Sequence, residues 1–255
     1  MTDLTPPHAL VFIKYEDQPS LARTIQRVNA ARRQVIPYRT LILTAARQRW
    51  TGLLFGAGAS DHLLLRNLSG QLGTTAFELE LGYFGFAYRL HSKGRTVAAF
   101  ESNLVFYVNN RLQWLAVHDD TSVLDLAEPV ERFVLRRHQE QQHVSSAGVV
   151  SSDVPDDLQA QYVGDASALR PVLKPDVTDG YVAELLAPGF RPEAAFERLA
   201  ACLSLPYLPP DEVLLDQAGG DSRVLAGFAL TRPATWVNEL PSGWRRVAAL
   251  PPDPA

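Results

Sequence analysis

The stretch RRHQEQQH, residues 136 to 143, sets His138 and His143 around Glu140. A helical His-Glu-x-x-His zinc pair works because an i, i+4 step turns about 400°, which returns the second histidine to the face of the first. Here the step is i, i+5, about 500°, so the two rings stand roughly 140° apart and cannot grip one ion from a regular helix. His138-Gln139-Glu140 also matches the first half of the zinc-deaminase signature. That signature needs a later pair of cysteines, and Cys202 is the only one in the chain. The segment therefore reads as a solvated helix end, with Arg136, Arg137 and both histidines in water near the negative pole of the helix.

Two other places gather reactive residue types. FGAGASD, Phe55 to Asp61, is a glycine-rich turn between a strand and a helix, the setting in which helix N–H groups hold phosphate. Asp61 stands where the dinucleotide pattern wants its third glycine, and an aspartate repels phosphate, so the expectation is a tight turn with Ser60 or Asp61 as helix cap. His118-Asp119-Asp120 follows an apolar run read as a strand, and a His-Asp pair serves as metal ligand or as a base with its orienting acid. The doublet resembles the metal-binding His-Asp pair of HD-type phosphohydrolases over those two residues, in a family that is helical where this segment reads as extended. If the chain is an enzyme, the expected site joins His118 and Asp119 to His62 or His91. That alternative is a small metal-dependent phosphohydrolase or nucleotide-binding enzyme using the Gly56-to-His62 turn. Cys202 flanks an amphipathic helical stripe and reads as a small buried hydrophobe. The motifs point to no cofactor and no resident metal.

Charge is unevenly distributed. Between Leu21 and Trp50 stand seven arginines and no acid, whereas fifteen acids face eight bases after position 150. Arg23, Arg27, Arg32 and Arg33 on and after the first helix are the candidate surface for an anion or a partner, with nucleic acid the less favoured class. The chain as a whole carries a formal charge of −4, which argues against general affinity for phosphate backbones. A hydrophobic content of 46% over 255 residues supports a buried core. One cysteine excludes an internal disulfide, and no run approaches the ~20 apolar residues of a membrane span, so a cytoplasmic location without a membrane partner is the expectation.

The elements that must position these residues read as follows. LVFIKY (Leu10 to Tyr15) is a strand, and Pro19-Ser20 open a helix over about 21–33. TLILTA and WTGLLFG form a hairpin across ARQR, and a helix over about 60–72 closes at Gly73. TAFELEL alternates, placing Glu78 and Glu80 on the opposite face from Phe77, Leu79 and Leu81, the pattern of a strand covered on one side. FGFAYRLH and RTVAAFES join across Ser92-Lys93-Gly94, and LVFYV and LQWLAV read as two further strands joined at Asn109-Asn110-Arg111. A helix follows from Ser122 to about Gln142, broken or restarted at Pro129, with Val130, Phe133 and Val134 as its stripe. The polar stretch from Val144 to Asp157 reads as a linker.

The fold expectation is thus α+β. An antiparallel β-meander flanked by helices occupies residues 1–145 and a linker 146–157. A smaller, mostly helical region spans 158–250, with a candidate β-hairpin from RVLAGFALT and GWRRVAAL, and a disordered tail covers 251–255. Its stretches 77–108 and 164–205 resemble bacterial proteins of no assigned activity. Every catalytic pattern fails on spacing or on a missing member. The expectation is therefore a non-catalytic interaction or regulatory protein whose partner is another protein or a second copy of itself.

Overall fold

The computed structural model describes residues 8–32, 40–55, 61–82, 85–121, 124–143, 153–188, 191–205 and 242–250. Arg33, most of the 55–61 turn, residues 144–152 of the expected linker, RVLAGFALT and the tail lie outside them. The described strands are β1 (His8–Ile13), β2 (Thr40–Leu43), β3 (Thr51–Phe55), β4 (Thr75–Gly82), β5 (Gly85–Ser92), β6 (Arg95–Glu101) and β7 (Arg245–Ala248). They form one sheet in the order β6-β5-β4-β1-β3-β2-β7, and every pairing is antiparallel. The helices are α1 (Gln18–Ala31), α2 (His62–Gln71), α3 (Leu104–His118), α4 (Pro129–His143), α5 (Asp156–Gln159), α6 (Asp179–Leu186) and α7 (Pro192–Cys202). The class is α+β, as expected, and no described helix is long and apolar enough to cross a membrane.

Local chemistry explains most of the boundaries. Asp17 accepts from the Ser20 N–H and starts α1, and Asp61 accepts from the Leu64 N–H and starts α2. The hairpin turns use positive φ at Gln48 and Arg49 and at Lys93 and Gly94. At Gly94 there is a second requirement. A Cβ there would stand 3.2 Å from the Cα of Gly70 in α2, so the hairpin tip and the helix approach through two glycines.

The segment read as LVFYV and LQWLAV strands is instead the single helix α3. Asn103 caps it by accepting from the Phe106 N–H, and the buried residues Leu104, Val108, Leu112 and Leu115 recur at steps of four, four and three. That is a helical stripe, and its burial overrides the β-forming valines and aromatics and the turn-like Asn109-Asn110. The meander therefore has three strands, β4 to β6, not four or five. Pro129 is the first residue of α4, where a missing N–H is harmless.

The second correction concerns β4. Its alternation is real, but both of its faces are covered. Phe77, Leu79 and Leu81 share an apolar cluster with Tyr88 and Leu90 of β5, Phe100 of β6, Val182 and Leu185 of α6, and Phe196 and Leu199 of α7. On the other face, Val11, Ile13 and Ala76 pack with Leu21 and Ile25 of α1 and Leu64, Leu65 and Leu68 of α2. Glu78 lies on this second face and is completely buried. Replacing the fully buried Leu199 by alanine should cost about 2–5 kcal/mol of stability in denaturant unfolding, because it removes apolar contacts and leaves a cavity in the layer between α7 and the sheet.

Candidate functional site

Beneath α2, α3 and α4, the inner face of β4 to β6 carries charge where a core would normally be apolar. Glu78 on β4 and Arg89 on β5 are direct cross-strand neighbours, and their nearest charged atoms are 3.7 Å apart. His91 Nε2 lies 3.9 Å from the same carboxylate, and all three side chains are at most 3% exposed. Helix α3 lays the Tyr107 ring against this group, with the Arg89 guanidinium 5.7 Å from its centroid. One turn on, Arg111 donates from Nε and Nη2 to the two oxygens of Glu131 on α4, at 3.2 Å each, and the Tyr107 hydroxyl donates to the same carboxylate. Glu131 is completely buried and fully engaged by this fork.

A second line of contacts leads outward. His91 Nδ1 is 3.2 Å from Thr96 Oγ1 on β6, and Thr96 in turn donates to Glu128. Because the Thr96 hydroxyl gives its one proton to Glu128, its oxygen is left to accept from His91 Nδ1. Tyr162 completes the set, donating to Glu128 Oε2 at 3.2 Å and accepting from the Val130 N–H at 3.3 Å. Thr96, Glu128 and Tyr162 line a cleft of 390 Å³ together with Arg66, Arg95 and Val97. Behind its wall, Arg66 reaches the buried Asp125 at 2.5 Å.

The electrostatics follow from this crowding. Burial alone would raise the Glu78 carboxyl, but the facing His91 ring and Arg89 outweigh it and hold the pKa at about 2. His62, at the start of α2, is pushed down to about 3, first by burial and then by Arg89, with Arg111 adding to the effect. Glu101 at the end of β6 is raised to about 7 by burial, against Arg89 and with the help of Glu80. Burial and the Glu131 carboxylate push the Tyr107 hydroxyl well above its ordinary range.

The sequence candidates are distributed differently. His91 belongs to this network, and His62 lies close enough to feel the charges of Arg89, Glu78 and His91. His118 does not join them. It sits exposed at the last turn of α3, its ring 4.6 Å from that of Trp114, and about 10 Å along the helix axis beyond Arg111. Asp119 is 3.2 Å from His138, which α4 buries to 4% exposure, so His138 faces a carboxylate and not water as the sequence reading expected. Glu140 pairs with Arg137 at 3.0 Å on the exposed side. In the basic set, Arg32 is 2.5 Å from Asp61, Arg27 donates to Gln71, and Arg23 is exposed. Burial raises the Cys202 thiol. Among the described residues no group of three histidines, cysteines or acids can hold a metal ion.

Sequence reasoning missed Arg89, His91, Tyr107, Arg111, Glu128 and Glu131 as one unit. One signal was present: Arg89 and His91 alternate on β5 as Glu78 and Glu80 do on β4, and antiparallel pairing of the two strands sets Glu78 across from Arg89. No family model, curated protein or solved structure matches the chain.

Two outcomes are expected. Glu131→Ala removes the acceptor shared by the half-buried Arg111 and Tyr107 and should lower stability by about 1–3 kcal/mol, read by urea unfolding. The pH profile has two regimes. His62 is held neutral, so its contribution is present above 6.5 and is lost as pH falls toward 3. Glu78 is held ionised, so its contribution is present above 4.5 and is lost toward 2. Glu101 has a raised pKa and acts in reverse, contributing below 4.5 and losing that contribution as pH rises through 7. From these three groups stability should stay nearly level between pH 6.5 and 4.5, then fall with uptake of about two protons. In Glu101→Gln the loss should begin near 6.5, the ordinary His62 value, when unfolding is followed at stepped pH.

Proposed function

We propose that the protein is a non-catalytic binding protein that takes a short extended segment of another protein along the open half of β6. The observation that carries this reading is the change in character of the outer edge of β6 along its length. Near its end Phe100 already bridges antiparallel to Val163, while residues 95–99 line the 390 Å³ cleft, with Val97 52% exposed. The edge of a sheet holds unsatisfied N–H and C=O groups, and an incoming strand satisfies them with register and direction.

Two features suit the cleft to binding. The bulge at Leu90/His91 twists the edge, which restricts pairing to a few residues and works against indiscriminate sheet growth. The opposite wall is rigid, because Glu128 is tied to both Thr96 and Tyr162 at the entry to α4. The acids and bases behind the cleft are engaged with one another, an arrangement that favours a fixed surface over turnover.

Selection of a random heptapeptide library on the immobilised protein tests the proposal. Sequences with alternating β-branched residues should be enriched, and Val97→Pro should weaken the selected peptides at least about tenfold. A proline at an edge bulge is compatible with the sheet but obstructs an added strand. Peptides held equally well by the proline variant, with its fold verified by circular dichroism, would sink the reading.

A further inference from the structure

We infer that the segment received by this cleft carries an acidic side chain, which Arg95 and Arg66 accept. The inference rests on the edge-docking reading and adds the chemistry of the ligand. Arg95 begins β6, lines the cleft, is exposed, and makes no hydrogen bond or ion pair among the described residues. Arg66 enters from α2, its side chain 18% exposed. Asp125 fixes its guanidinium through Nη2, and its buried Nε has no hydrogen-bond partner. An arginine held by a buried acid keeps its fork in place and loses little freedom when a second carboxylate arrives.

The acids near the cleft do not offset this. Glu128 is 4% exposed and accepts from Thr96 and Tyr162, and Asp125 is 2% exposed and accepts from Arg66 and the Ala127 N–H. The charged groups that a ligand can touch in the cleft are therefore the two arginines, although an acid forms part of its lining. Val97 beside Arg95 supplies the apolar contact for the neighbouring position of an extended chain, where side chains alternate.

Fluorescence anisotropy with three labelled heptapeptides tests this. All are capped at both ends and share one alternating valine and threonine sequence, with glutamate, glutamine or lysine at the centre. On the wild-type protein the glutamate peptide should bind about fivefold tighter than the glutamine peptide, and the lysine peptide should bind weakest. Arg95→Ala, a change at an exposed side chain, should weaken the glutamate peptide more than the glutamine peptide and so remove most of the glutamate preference. Raising salt from about 0.05 M to about 0.5 M should reduce the preference in the same way. Equal binding of the glutamate and glutamine peptides would overturn the acidic specificity while leaving edge docking in place. Failure of all three to bind would overturn both.

Discussion

The arrangement turns on a carboxylate and a guanidinium buried side by side on the inner face of the sheet. Glu78 and Arg89 are fixed opposite each other by the β4–β5 register, and neither can reach water. A bare pair of this kind is costly, because desolvation of two charges exceeds their mutual attraction unless further dipoles and charges are brought in. His62 on α2, Tyr107 and Arg111 on α3 and Glu131 on α4 are those further groups. Each helix over this end of the sheet thus delivers at least one polar side chain to a common cluster. The contacts of α3 and α4 within it are directional, so they select one placement of these two helices over the many that apolar contact alone would allow.

The opposite face works by another principle. Phe77, Leu79, Tyr88, Phe100, Phe196 and Leu199 form a continuous apolar layer between the sheet and helices α6 and α7. Apolar burial is strong and non-directional, and it supplies stability without specifying orientation. The residues contributing to that layer come from both sides of the 146–157 stretch, and β7, late in the chain, pairs with β2. Both sides of the sheet thus bury apolar surface, and the α2–α4 side adds to it the directional contacts of the charged cluster. The cleft along β6 lies where the polar layer reaches the surface.

Much of the fold was legible because its signals are local. Asp61 as a cap, Gly73 and Gly94 at positive φ, and the alternation of β4 each depend on a few neighbouring residues. What was hidden depends on distance in sequence. The valines and aromatics of α3 favour a strand locally, and only contacts with α4 and Tyr162 reveal that Leu104, Val108, Leu112 and Leu115 form a buried helical stripe. Glu78 reads as a solvent-facing residue until α2, α3 and α4, from three separate segments, are laid over it. His138 likewise reads as a residue of a frayed end, because Asp119 approaches it from nineteen positions away. The His62–His91 proximity was within reach of guesswork, but His118 was joined to them only by residue type, and the straight run of α3 carries it elsewhere.

The least visible feature has the widest consequences. Between β5 and β6 the register runs Arg89↔Ala99 and Leu90↔Ala98, then jumps to His91↔Thr96, leaving Val97 as the extra residue of a bulge. Without that slip His91 would face Val97, and Thr96 would point to the apolar side, since one residue of register exchanges the two faces. The bulge therefore places the Thr96 hydroxyl where it accepts from His91 and donates to Glu128. In the same step it leaves Val97 exposed on the edge. Nothing in the letters RTVAAFE distinguishes this arrangement from a regular strand. One inserted residue thus links the buried charge cluster to the proposed binding edge, and a change that restored regular pairing would disturb both together.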